Sequence, residues 1–176
     1  MATWNSRGLR GSLLEELINK TNDIYRENGL ALIQKIPTPI TPVEMNEKKQ
    51  ITLAYFDMKS TVDYIGAVQG IPVCFDAKEC HSTTFTLNNI HEHQVRFMED
   101  FERQKGIAFF LIHFTGQDKF YYLRLRLLMD FWERRNQGGR KSFRMDELEQ
   151  DFFIEMSDII PYLFYIQRDL DIRGDL

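Results

Sequence analysis

The residues best placed to do chemistry are two aspartates and a lysine. Twelve residues separate Asp63 from Asp76, and one residue separates Asp76 from Lys78. Two carboxylates brought together call for a compensating cation, and oxygen ligands suit Mg²⁺ or Mn²⁺ better than zinc. Such a cation acidifies water and neutralises charge on a phosphorane, while an ammonium beside it orients hydroxide or stabilises the developing anion. The chemistry would be phosphodiester hydrolysis. A structural salt bridge between Asp76 and Lys78 is the alternative reading of the same residues.

These side chains meet only if the chain folds back on itself. Residues 61–79 read as a β-hairpin turning at Gln69-Gly70, where glycine takes a positive φ without penalty. With a two-residue loop, Val68 pairs with Ile71, which puts Asp63 opposite Asp76 and Thr61 opposite Lys78. Alternation along the second strand points Val73, Phe75 and Ala77 into the core and leaves Cys74, Asp76 and Lys78 on a half-buried face. Like charges directly opposed on a sheet repel, which strengthens the case for a cation between them.

The surrounding pattern alternates strands and helices. Ser12 caps a helix over 12–27, with Glu15 three residues on and Leu13, Leu14, Leu17, Ile18, Ile24 and Tyr25 as its apolar stripe. A strand follows from Leu30 to Ile36. Further along come a helix from His91 to Gln104, a buried strand from Gly106 to Phe114, its partner from Lys119 to Leu123, and a helix from Leu125 to Arg135. A short acidic helix begins near Met145, and the segment around Pro161 fits either helix or coil. This order predicts an α/β layer fold. The prolines at 37, 39 and 42 exclude a central strand or helix interior there. Residues 37–59 therefore read as an extended excursion carrying Lys48, Lys49, Tyr55, Phe56 and Lys59; a plain surface loop is the simpler alternative.

With 176 residues, the chain suits one domain. No apolar run approaches the roughly 20 residues of a membrane span, and the first residues lack a signal-peptide core, so the cytoplasm is expected. Two cysteines, Cys74 and Cys80, are expected to stay reduced there. The net charge of −4 is unevenly spread: residues 145–176 hold nine acidic and two basic side chains, whereas 119–144 hold eight basic and two acidic ones. An arginine-rich stretch suits phosphate contacts, but charge alone favours the plainer reading of a solvated helix face balanced by an acidic tail. His91, His93, Cys80 and His81 match no standard zinc spacing. Helix geometry does not choose between Glu15 and Glu16. Phe152, Phe153, Tyr162, Phe164 and Tyr165 suit a core or a dimer interface.

Several segments together resemble the bacterial RecU family of Holliday junction resolvases. They are the stretch from Arg10 to Asn22, Lys35-Ile36-Pro37-Thr38-Pro39, Ser60 to Gly66, and Phe75-Asp76-Ala77-Lys78-Glu79. His91-Glu92-His93-Gln94 and Gly139-Arg140-Lys141-Ser142, followed by Asp146-Glu147-Leu148, complete the set. They come in the family's order and span nearly the whole chain. The resemblance implies a restriction-endonuclease-like fold, a mixed β-sheet flanked by helices, as a single nuclease domain over 1–176 with a stalk inserted at 37–59. It implies Mg²⁺ (Mn²⁺ as substitute), metal contacts from Asp63, Asp76 and Thr61, and catalytic roles for Lys78, Glu15 and Gln94. DNA contacts would come from Arg7, Arg10, Lys48, Lys49, Phe56, Arg140 and Lys141. The implied substrate is four-way junction DNA, nicked symmetrically by a homodimer, with recombinase or branch-migration proteins as further partners. Two departures stand out: the family usually has Glu where this chain has Asp76, and the stalk is somewhat shorter. A nuclease of the same fold acting on flapped or linear DNA, or a non-catalytic DNA-binding accessory protein, are the competing functions.

Overall fold

A computed structural model describes residues 12–37, 40–56 and 61–174, the side chain of Phe56 excepted. The elements run α1 (Leu13–Glu27), β1 (Leu32–Lys35), β2 (Ile40–Met45), β3 (Ile51–Phe56), β4 (Tyr64–Val68), β5 (Ile71–Cys80) and β6 (Thr84–Thr86). They continue with α2 (Glu92–Arg103), β7 (Ile107–Phe114), β8 (Lys119–Arg124), α3 (Leu125–Asn136), β9 (Ser142–Arg144), β10 (Phe153–Ile154) and α4 (Tyr162–Arg173). Six strands make one mixed sheet in the order β1-β4-β5-β7-β8-β10. All its neighbours are antiparallel except β5 and β7, which run parallel and are joined through α2. A parallel pair needs such a crossover, since no tight turn can connect it.

Every residue of β7 is buried, as expected for a central strand covered on both faces. On one face Tyr162 of α4 meets Tyr25 of α1 edge-on at 5.1 Å and packs against Phe75 and Phe109. Tyr25, Thr21 and Asn22 all point inward from α1; the Thr21 hydroxyl accepts from the Ile160 amide at 3.0 Å, and Asn22 accepts from the Tyr162 hydroxyl at 2.5 Å. Leu13, expected in the apolar stripe, is instead exposed. The opposite face is covered by α2, so β5 is buried on both sides from Val73 to Asp76. The half-buried face expected for Cys74 and Asp76 is corrected by this helix. A second correction concerns residues 61–63, which precede β4 rather than belong to it. The acidic helix expected near Met145 is a single 3₁₀ turn, Met145–Glu147, reached through β9. β9 pairs with β6 in a small separate sheet, where Phe85, Phe143 and Phe131 of α3 stack in sequence.

The excursion at 37–59 contains a β-hairpin. Among the described residues β2 and β3 pair only with each other, and the Asn46 side-chain oxygen accepts from the amides of Lys48 and Gln50 to close the turn. Pro42 fits because a two-stranded ribbon needs only one hydrogen-bonded flank per strand; a register shift follows it. Ile40, Val43, Met45, Ile51, Leu53 and Tyr55 are all exposed along this ribbon.

Candidate active site

The turn between β4 and β5 sets the site. Gln69 and Gly70 both have positive φ, 48° and 89°, the signature of a two-residue turn whose twist matches its strands. The ladder runs from Val68↔Ile71 to Tyr64↔Phe75, the register expected from the turn. Asp63 lies one step past the last pair. Its backbone carbonyl accepts from Ile36 at 2.8 Å, and its Oδ2 accepts from the Ala77 amide at 3.1 Å. The aspartate is thereby tied to β5 immediately beside Asp76.

Asp76 is fully buried beneath α2. Its Oδ2 accepts a 2.6 Å hydrogen bond from Gln94 Nε2, and Gln94 Oε1 in turn accepts from the His91 amide at the start of α2. Lys78 Nζ stands 2.6 Å from Asp76 Oδ1. That contact is an ion pair, and the ammonium offsets part of the cost of burying the carboxylate, while the neighbouring Asp63 adds a second negative charge that calls for a cation. Burial pushes the Asp76 carboxyl up to about 7; Lys78 pulls it down, and the nearby Asp63 raises it again. Burial, together with the charges of Glu15, Asp63 and Asp76, also pushes the Tyr64 hydroxyl well above its usual range. Three acids therefore gather around one phenol.

Asp63, Asp76, Lys78 and Gln94 thus come together. Gln94 is buried and acts on the carboxylate, rather than lying open on the helix surface. Thr61 sits half-buried two residues before Asp63. Glu15 projects from the first turn of α1 and pairs with Lys35 at 2.7 Å. Among the described residues, no group of three or more His, Cys, Asp or Glu side chains converges on a metal position. The donors present are two neighbouring carboxylates, one of them fully buried. This fits a hard cation that keeps several waters, as Mg²⁺ does, better than an all-protein cage.

The expected DNA contacts are dispersed. Arg7 and Arg10 lie outside the described residues. Lys48 and Lys49 occupy the tip of the β2–β3 hairpin, where Lys49 takes a positive φ of 58°. Phe56 ends β3. Lys141 is exposed, while Arg140 pairs with Glu147, which also binds Arg134 at 2.6 Å. Arg124 is buried against Glu149, and Arg144 pairs with Asp146. Much of the basic stretch at 119–144 is therefore neutralised by the acidic segment after it. No local sequence pattern signals these pairings, which depend on α3 and the 3₁₀ turns meeting in space.

Comparison with known proteins gives a consistent picture. The family described as Recombination protein U matches residues 9–168. A Holliday junction resolvase RecU from Pediococcus pentosaceus is 40% identical over 172 residues, 93% of this chain and 86% of that protein. The Holliday junction resolvase RecU of a Geobacillus species is 43% identical over 148 residues, covering 81% and 74%. That of Bacillus subtilis is 39% identical over 162 residues, covering 89% and 78%. Among solved structures, Hjc, a Holliday junction resolvase from Archaeoglobus fulgidus, aligns with 59% of this chain and 74% of its own. Its TM-score is 0.36 at 9% identity, a likeness too slight to argue from.

Proposed function

Because this chain belongs to the RecU family, we propose that it is a Holliday junction resolvase, a metal-dependent endonuclease that nicks four-way DNA junctions during recombination and repair. The observation that carries the chemistry is the convergence of Asp63, the buried Asp76 and Lys78 on one stretch of β5. Asp63 and Asp76 would hold Mg²⁺, or Mn²⁺ in its place, with Thr61 beside them. When bound, the ion supplies acidified water and positive charge for the scissile phosphate.

The remaining work falls to the chain's own groups. Gln94 donates to one Asp76 oxygen and Lys78 stands against the other, so the carboxylate is held from both sides. Lys78, on the same face two residues on, holds its ammonium where a phosphate oxygen or an attacking hydroxide would gain from it. Glu15, paired with Lys35, lies within the electrostatic reach of the same cluster. The β2–β3 hairpin, with Lys48 and Lys49 at its tip, is suited to enter the junction centre, and Arg7, Arg10 and Lys141 to grip phosphates. Arg140 joins them only if its pairing with Glu147 yields. Two active sites cutting opposed strands call for a homodimer. No helix among the described residues is long and apolar enough to cross a membrane, and an enzyme of this substrate works in the cytoplasm.

The test offers labelled four-way, flapped and linear DNA to the protein with Mg²⁺ and maps the nicks. Paired symmetric nicks in the four-way substrate are expected. Asp63→Ala and Asp76→Ala should abolish cleavage and leave junction binding intact. Nicks confined to flaps or linear duplex would refute the resolvase reading, and equal loss of binding and cleavage would refute the metal assignment.

A further inference from the structure

α1 packs against β1, the edge strand of the main sheet. A cleft of about 540 Å³ runs between them, with Asn19 and Asn22 on the helix side and Leu32 and Lys35 on the strand side. The two asparagines are three residues apart and so share one face of α1. A tyrosine occupies the oxygen of each. The fully buried Tyr64 hydroxyl donates to Asn19 Oδ1 at 3.2 Å, and the fully buried Tyr162 hydroxyl donates to Asn22 Oδ1 at 2.5 Å. A buried phenol must place its proton on an acceptor, so these bonds fix which way both amides turn. The oxygens face the core, and the NH₂ groups do not. Among the described residues neither amide nitrogen has an acceptor. Asn19 is exposed, and the nitrogen of the otherwise buried Asn22 keeps contact with solvent.

A cleft that offers donors suits a ligand that offers acceptors. Its cations are already engaged: Lys35 pairs with Glu15 at 2.7 Å, and Arg26 with Asp23 at 3.0 Å. Neutral amides between neutralised cations suit the ring nitrogens and carbonyls of a nucleobase better than a phosphate. Leu32, 65% exposed, supplies an apolar surface for the face of a ring. β1 is only four residues long, a short edge for a peptide strand to extend. The cleft also begins where the catalytic cluster ends, because Lys35 lines it, holds Glu15, and pairs in the ladder with Tyr64, the residue after Asp63.

We infer that the α1–β1 cleft is a base-reading subsite. It takes the base of a substrate nucleotide beside the scissile phosphate, and the Asn19 and Asn22 amides donate to the acceptor edge of that base. The inference rests on the resolvase reading above and adds to it a cause for selectivity among junction sequences. The buried tyrosines hold both amides as donors before substrate arrives, so a base without the matching acceptor leaves them unpaired.

The test uses the full chain with Mg²⁺ and a pool of four-way junctions of one architecture, randomised in sequence around the crossover, and sequences the nicked strands. The parent protein is expected to favour one base about tenfold at a position beside the nick, as an amide–base contact would give. Asn19→Ala should shrink that ratio to about twofold. Asn19→Asp separates the two roles of the side chain: it keeps an oxygen for the Tyr64 hydroxyl but loses the donor. It should therefore flatten the profile as Ala does, whereas a residue that only held Tyr64 would be rescued. Asn22→Asp should flatten the same position or the next. Each ratio is internal to one protein, so a change in overall rate does not enter it. A flat parent profile, or a parent-like ratio in either Asn19 variant, would overturn the inference and leave the cleft to a protein partner. Nicking confined to flaps or linear duplex would sink the resolvase reading alone, because the same profile is then read on those substrates. No nicking of any DNA would sink both.

Discussion

Asp76→Asn should make the metal-free protein more stable, and by an amount that depends on pH. The Asp76 carboxyl goes from an ordinary value of 3.8 up to about 7 in the fold, chiefly through burial. The unfolded chain therefore gives up its proton near pH 4 while the native protein keeps it until near pH 7. Between those limits the unfolded state binds fewer protons, so stability falls as pH rises, and it levels off above 7. Roughly three pH units at about 1.4 kcal/mol each put the cost of ionised Asp76 at ~4 kcal/mol. Asparagine avoids that cost and still accepts from Gln94. It leaves Lys78 without its partner, but that ammonium is 20% exposed and can turn to water, a penalty of about 1–2 kcal/mol. The net gain at pH 8 is about 2 kcal/mol, or about 4–8 °C in Tm for a chain of this size. Thermal melts of both proteins in chelator from pH 4 to pH 8 measure it. The difference should grow through this range and then flatten, and Mg²⁺ should raise the Tm of the parent protein only. A pH-independent difference, or a less stable Asn variant at pH 8, would refute the reasoning.

Gln94→Leu removes the donor to Asp76 Oδ2, a bond to a charged group worth about 1.5–3 kcal/mol, and so raises the Asp76 pKa further. Proton and metal compete for that carboxylate, so at subsaturating Mg²⁺ single-turnover cleavage at pH 7.5 should fall about tenfold and recover toward the parent rate as pH or Mg²⁺ rises; a deficit constant with both would contradict this account. Gly66→Ala would put a Cβ 2.0 Å from the Leu32 carbonyl oxygen and 2.7 Å from Ile33 Cα, both backbone atoms of β1. Urea unfolding should report destabilisation on the order of 3 kcal/mol. Lys48→Glu with Lys49→Glu, at the hairpin tip, should weaken junction binding severalfold in a gel-shift assay and leave linear-duplex binding nearly unchanged. Equal effects on both substrates would remove the hairpin from junction recognition.

The hairpin holding Asp63 and Asp76 is legible in the sequence because a two-residue turn fixes register, and Gln69-Gly70 leaves little choice of turn. Burial of the site is not. Alternation in 73–78 suggests one wet face, although the unbroken apolar run of β7 is the mark of a sheet covered on both sides. That run is the available signal for α2 lying over Asp76. In the β2–β3 hairpin Ile51, Leu53 and Tyr55 alternate, as do Val43 and Met45, but Pro42 and the register shift after it put Ile40 out of step and mask the first strand. Contacts between distant segments are beyond the reach of any local rule. Arg124 with Glu149, Glu79 with Leu14, and Arg173 of α4 with Glu102 of α2 at 2.6 Å all depend on how layers dock. The basic stretch and the acidic tail are both visible in the sequence; which of their members pair is not.

β5 is hydrogen-bonded to β4 along 71–75 and to β7 along 73–80. Deleting any one residue between Gly70 and Asp76 would turn every later side chain over, sending the acid toward Tyr162 and an apolar group under Gln94. The 40–56 ribbon can be lengthened, shortened or rewritten without disturbing that ladder, because among the described residues it pairs only with itself. The strand that holds the acid has no such freedom. New substrate preferences in such an enzyme should therefore arise in the projecting arm, while the chemistry remains anchored in an inherited ladder.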